Sequence, residues 1–270
     1  IIEYLYERMK KVKKIRKVIV CTTNEVSDKP LVEFLKLNKM DYFCGSKKDI
    51  LIRYLDAANK FSTDFIINVD GDDIYTDPNH VESIIDEFEK SNLDFIQMGK
   101  VPLGFTCMGF TKEILEKICN FKKSNDTETG WVRFFTETNI VEVKKIIPIK
   151  EINYPKTLRL SLDYKEDYEL SKEIFKKFGN KFEYEDIINY VILDKKRLKK
   201  MEKTEKKWSN HWDENLSDIS LGNILIAGSF LKNKKNFNKS LHDVQNLLEI
   251  KNKVLNITKG ENLFLNALLE

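Results

Sequence analysis

Asn68-Val-Asp-Gly-Asp-Asp73 sets three carboxylates within four residues, just where the apolar run Phe65-Ile-Ile67 gives out. In open α/β sheets, ligands collect at the carboxyl ends of strands. Three such acids repel one another unless a cation or donor groups offset them. Magnesium suits the place, because it prefers hard oxygen ligands and usually takes one or two carboxylates plus substrate phosphates. The plainer reading is a turn, since Asp and Gly are turn formers. A turn alone does not call for three acids after so apolar a strand. A second acid group follows Leu158-Arg-Leu-Ser-Leu-Asp163, continuing as Tyr-Lys-Glu-Asp-Tyr-Glu169. Glu166, Asp167 and Glu169 fit the first turn of a helix, where acids favour the dipole. Asp163 falls before that turn, on a strand end, and is a candidate ligand.

The elements that must position these acids follow from hydrophobic spacing. Ile1, Leu5, Met9 and Val12 recur at helical spacing, predicting a helix over Ile1–Lys14. Lys17–Thr23 is a short continuous apolar run, as in a strand buried on both faces. A helix near Lys29–Lys36 and a strand over Met40–Cys44 follow. Ser46 is the expected N-cap of a helix through Lys60. Asp64–Asp70 is the clearest buried strand, and Asp77-Pro78 opens the next helix, with Pro at its first position. Strands are expected at Leu93–Gln97 and Phe105–Phe110, and a helix at Thr111–Cys119. Asn139–Ile149 and a strand over Thr157–Leu162 are expected to complete the sheet, before helices at Lys165–Phe178 and Tyr184–Leu193. Alternation of this kind predicts an α/β fold with a mostly parallel sheet and helices on both faces.

Composition narrows the function classes. The chain has 270 residues, with 46 basic against 43 acidic side chains and a net charge of +3. Basic residues diluted so evenly by acid give no electrostatic case for nucleic acid. No apolar run approaches the roughly 18 residues of a membrane span. Cys21, Cys44, Cys107 and Cys119 are dispersed without a CxxC, which points to buried thiols in a reducing cytoplasm. Lys195–Lys207 carries eight basic and two acidic residues in thirteen and is expected to be a solvated linker helix. The boundaries drawn on this basis are 1–194, a linker over 195–216, and a small C-terminal α/β piece over 217–270.

Taken together, Cys44-Gly-Ser-Lys-Lys-Asp-Ile-Leu-Ile-Arg-Tyr54, then Asn-Val-Asp-Gly-Asp-Asp73, then Asp77-Pro78, resemble the cytidylyltransferases of spore-coat polysaccharide biosynthesis. These are relatives of the CMP-KDO and CMP-sialic acid synthetases. Leu158–Leu170 is similar to that family's closing motif, and Thr22-Thr23 and Gly104-Phe-Thr106 also fit in order. The resemblance covers roughly Ile1 to Tyr190. It implies a Rossmann-like nucleotidyltransferase in which CTP and Mg²⁺ meet at the strand-end acids. A sugar hydroxyl then attacks the α-phosphorus and pyrophosphate leaves. Carried over, Asp72 and Asp163 match the metal-binding acids, Asp70 lies beside them, and Arg53 matches a basic residue on the nucleotide side. Lys156 and Arg159 either hold substrate anions or pair with nearby acids. The family's Gly- and Arg-containing triphosphate loop has no counterpart here, and Ile74 stands where a proline is usual. The expectation drawn from that departure is a chain with weak or no turnover by itself, prone to homodimerise.

The C-terminal run Ser220-Leu-Gly-Asn-Ile-Leu-Ile226 resembles the SLGN-type helix start of the CofD-like (2-phospho-L-lactate transferase and gluconeogenesis-factor) family. Helices over Leu221–Leu231 and Asn238–Leu248 and apolar runs at Val254–Ile257 and Leu263–Leu269 complete the unit. Gly222 and Asn223, at a helix start with free N–H groups, are candidate anion binders. Three readings compete for the whole. The first is a CMP-sugar-forming enzyme. The second is a glycosyltransferase of GT-A type, with Asp70-Gly-Asp72 as a DxD metal site. The third is a catalytically impaired nucleotide-binding module.

Overall fold

Alternation along each strand decides the layering of this protein, whose computed structural model describes residues 1–215 apart from positions 92 and 139. In chain order the elements are α1 (Ile2–Met9), β1 (Val20–Thr23), α2 (Lys29–Leu37), β2 (Tyr42–Gly45), α3 (Ile50–Phe61) and β3 (Phe65–Asn68). There follow α4 (Pro78–Ser91), β4 (Phe95–Met98), β5 (Met108–Thr111), α5 (Lys112–Phe121), α6 (Arg133–Thr136) and β6 (Val143–Ile146). The helices α7 (Lys165–Phe178), α8 (Tyr184–Ile192) and α9 (Lys195–Asn215) close the described chain.

Side chains on a strand point to opposite faces with period two. Phe95, Met108 and Phe110 therefore join one core with Leu51 of α3, Leu115 of α5 and Phe134 of α6. Ile96 and Met98 join another, with Leu5 of α1 and Ile84 of α4. The α/β fold with helices on both faces stands on these two cores. Gly109 is where the second face is tightest: a Cβ there would sit 2.5 Å from the Phe65 ring and 2.7 Å from Ile84. A third core gathers Ile74, Phe105, Leu158 and Leu160 under α7, α8 and Met201 of α9, and so clamps the loop that follows β3.

The strands form two sheets. β1 and β2 pair in parallel, Val20 opposite Tyr42. The other four run in the order β3-β5-β4-β6. β3, β4 and β6 share one direction, whereas β5 is antiparallel to both its neighbours. β5 reaches its place from β4 through a short loop, and short connections give antiparallel pairs.

Two local expectations are corrected and a third is refined. Thr157–Leu162 belongs to neither sheet, and Thr157 itself lies in a turn. Its backbone bonds run singly, Leu160 N–H to Leu103 O at 2.7 Å and Leu162 N–H to Asp72 O at 3.0 Å. The Ser161 carbonyl accepts from the Arg159 guanidinium instead of a neighbouring strand. The cap of α3 is Asp49, whose carboxylate accepts from Ile52 N–H, while Ser46 Oγ accepts from Asp49 N–H one turn earlier. The basic segment is the expected helix, α9, with most of its residues exposed, and it also buries Met201, in the third core, and Thr204. Leu198, Met201, Thr204 and Trp208 recur at spacings of three and four, a stripe that the density of lysines hides. The readings made for 217–270, including Gly222 and Asn223, lie outside the described residues.

Candidate active site at the end of strand β3

Asn68 ends β3, and the chain turns through exposed Gly71, with Asp73 N–H donating to Asp70 O at 3.0 Å. The tight turn brings one oxygen from each of Asp70, Asp72 and Asp73 within 4.8 Å of the others. Their surroundings differ. Asp70 accepts from the Tyr54 hydroxyl at 3.2 Å, from Asn68 Nδ2 at 3.3 Å and from the Trp131 indole. Asp73 is buried and accepts from Gly104 N–H at 2.5 Å and from the Thr106 hydroxyl, which fastens the 104–106 loop beneath the acids. Asp72 receives no hydrogen bond from the side chain or backbone of any other described residue. It is the open member of the three.

Gly104 holds this arrangement from below. Its φ is +102°, and a Cβ would lie 2.4 Å from the Leu160 carbonyl carbon. Only glycine gives both that backbone angle and that approach. The Leu103–Leu160 and Asp72–Leu162 backbone bonds then bring Asp163 alongside Asp72.

The electrostatics follow from crowding. Burial first, then Asp70 and Asp163, push the Asp72 carboxyl up to about 6. Burial, then Asp72 and Asp70, push Asp73 well above the usual carboxylate range. Burial raises Asp70 too, against the donors from Asn68, Tyr54 and Trp131. A site whose acids resist ionisation has a deficit of positive charge, and an oxygen-ligating cation meets it. Two buried atoms, Asn68 Oδ1 and Arg53 Nε, have no partner among the described residues. The donor set, all oxygen, with Asp72 open, fits magnesium.

The expected site residues divide as follows. Asp70 and Asp72 meet as expected, and Asp163 neighbours Asp72 without joining the tight trio. Its Oδ2 is held by the Arg159 guanidinium and by Ser161 Oγ at 2.7 Å. Arg53 is half-buried, with Nη1 donating to Ser46 O at 3.1 Å, and its charge acts on Asp70. Arg159 is 2% exposed and engaged: Nη2 bridges both oxygens of Asp167 at 2.8 Å each. Of its two readings, pairing with nearby acids is the one realised. Lys156 is exposed and has no ion pair among the described residues.

Three participants escaped the sequence reading. Tyr54 and Trp131 reach Asp70 from α3 and from the loop before α6, and no spacing rule links them to it. Asp28 accepts from both hydroxyls of Thr22 and Thr23 at 2.7 Å and from Thr23 N–H at 3.1 Å, which locks the end of β1. Those donors hold its carboxyl down at about 2.

With this geometry in place, comparison with known proteins is specific. The sequence profile described as cytidylyltransferase matches residues 1–228. Protein MJ1063 of Methanocaldococcus jannaschii is 30% identical over 193 residues, 71% of this chain and 76% of the relative. Spore coat polysaccharide biosynthesis protein SpsF of Bacillus subtilis is 22% identical over 166 residues, 61% of this chain and 69% of the relative. The solved structure of a cytidylyltransferase from Leptospira borgpetersenii serovar Hardjo-bovis superposes with a TM-score of 0.64 at 26% identity, covering 73% of this chain and 84% of that one. A profile match over most of the chain, on a fold that sets three acids at a strand end, makes this protein a member of the cytidylyltransferase family and a nucleotidyltransferase.

Proposed function

We propose that this protein transfers CMP from CTP to a sugar or sugar acid, with magnesium, and releases pyrophosphate. The observation that carries the reading is the open Asp72 carboxylate, raised to about 6 between Asp70 and Asp163. The acceptor hydroxyl oxygen forms a bond to the α-phosphorus as the bond to the pyrophosphate oxygen breaks, and the hydroxyl proton passes to water. Phosphoryl transfer of this kind depends mostly on positioning and charge neutralisation. Asp72, with Asp70 and Asp163 beside it, would hold the ion. Magnesium bound there supplies the positive charge that offsets the phosphate oxygens.

The chain's own groups do the rest. Tyr54 and Trp131 fix the orientation of Asp70. Asp73 holds the 104–106 loop against the acids. Arg53, with its Nε unpartnered, faces the nucleotide anion. Arg159 fixes the orientation of Asp163 through a charge-assisted hydrogen bond to its Oδ2. Likeness to a spore coat polysaccharide biosynthesis protein supports a use of the product in surface-polysaccharide synthesis, and the four free cysteines accord with a reducing cytoplasm. Among the described residues no helix is long and apolar enough to cross a membrane.

The test is pyrophosphate release by the purified full-length chain, with CTP, UTP, GTP or ATP, with magnesium or EDTA, and with a sugar panel. CTP-selective, magnesium-dependent release is expected. Turnover of a sugar nucleotide in place of CTP would convert the reading to a glycosyltransferase, and no release with any nucleotide would leave the impaired-module reading.

A further inference from the structure

Helix α9 folds back over the Asp163 side of the site and completes a cavity there. Its Lys207 ammonium lies 4.0 Å from the centre of the Tyr164 ring, next to Asp163 in the chain. On either side of Lys207 in the chain, Glu205 and Trp208 line a cavity of about 300 Å³, with Leu103, Tyr154, Lys156 and Arg159 on the other walls. That volume is at the lower end of small-molecule sites, the size for one sugar ring. The cavity shares its walls with the acid site. Leu103 precedes Gly104, which Asp73 holds, and Arg159 is bonded to Asp163. Arg53, Tyr54 and Trp131 approach from the Asp70 side instead.

We infer that this cavity is the acceptor subsite, with Trp208 as the platform for a sugar ring and Lys156 as the anchor for its carboxylate. The inference rests on the cytidylyltransferase reading above, which requires a second substrate beside the acids. The chemistry of the walls carries it. Trp208 is braced by Trp212, stacked at 5.2 Å, and offers an aromatic face to the C–H face of a pyranose. Lys156 has no carboxylate partner among the described residues, so its charge is available to an anion. The buried Arg159 also keeps an unpartnered Nε–H. Glu205 supplies an acceptor for sugar hydroxyls. A neutral, wholly apolar ligand would leave these groups unsatisfied.

The probes are D-glucuronate and D-glucose, which share a ring and differ by the carboxylate, each added to the full-length protein and followed by saturation-transfer NMR. CTP–Mg²⁺ binding is followed in parallel by calorimetry. Glucuronate is expected to bind about tenfold more tightly than glucose, as one charge-assisted bond predicts. Lys156→Gln, at an exposed position that folding does not need, is expected to abolish that difference. Trp208→Ala is expected to weaken both sugars, and Trp208→Phe to weaken them less. CTP–Mg²⁺ affinity stays unchanged in all three. Absence of glucuronate binding, or binding that ignores both Lys156 and Trp208, overturns the subsite. Loss of CTP binding in the unmodified protein, with glucuronate still bound, overturns the cytidylyltransferase reading and leaves the cavity standing.

Discussion

Replacing Asp72 by Asn should make the metal-free protein more stable, and only above about pH 4. Burial, then Asp70 and Asp163, push the native carboxyl up to about 6, against 3.8 for a free one. A tenfold change in proton affinity is worth about 1.4 kcal/mol, so a rise of this size amounts to about 3 kcal/mol. Because the folded state holds this proton more tightly than the unfolded state, its contribution favours folding fully below about pH 4. That contribution is lost as pH rises through about 6. The substituted amide carries no charge, so the variant escapes the loss. In urea melts with EDTA, D72N should match the parent near pH 3, and its advantage should grow to about 3 kcal/mol by pH 8. Adding magnesium closes the gap. The parent should gain stability with ion concentration as linkage requires, about 2.7 kcal/mol at a hundredfold excess over Kd, and D72N should gain little. Equal stability of the two proteins at pH 8, or equal stabilisation of both by magnesium, would refute the argument and return Asp72 to the role of a turn residue.

Other perturbations test the scaffold of the site. Arg159→Met leaves Asp167 buried without its bidentate partner. A loss of about 3–5 kcal/mol in the urea midpoint analysis is expected, and a near-neutral effect would mean that the pair is dispensable. Gly104→Ala meets both a left-handed backbone and the Leu160 carbonyl at 2.4 Å. The expected cost is about 3 kcal/mol, and a thermal midpoint within a degree or two of the parent would contradict it. Asp28, held near 2 by Thr22 and Thr23, favours folding above the unfolded value of about 3.9 and loses that contribution as pH falls toward 2. Carboxyl-carbon NMR should find its midpoint well below those of the exposed acids, and Thr23→Val should bring it back toward them.

The acid run after β3 was legible because it is local: an apolar strand, then Asp-Gly-Asp-Asp, in one stretch of chain. So were α4, opened by Pro78, and α7, opened by an acidic first turn. The ladder partners were not. Whether β5 runs with or against β4 depends on the path between them, and Phe105–Phe110 has the same apolar pattern either way. The 157–162 segment reads as a strand for the same reason, since alternation records burial on both sides and says nothing of who takes the carbonyls.

Within the site, the sequence by itself determined which residues are acidic, that they follow a buried strand, and that Asp72 and Asp163 belong together through a family resemblance. Only the tertiary structure decided which acid is open. Asp73 is engaged by Gly104 and Thr106, about thirty residues on, and Asp70 by Tyr54 and Trp131, while Asp72 is left without donors. Arg159 was undecided between substrate and neighbour until packing buried it between Asp163 and Asp167. A lysine-rich helix packs Met201 into the third core and, seven residues on, lines a cavity with Trp208. The physical reason is common to all of these. Residue type and local spacing set what a side chain can do, but hydrogen bonding and desolvation depend on atoms brought in from elsewhere in the chain, and these choose which of its capacities remains free.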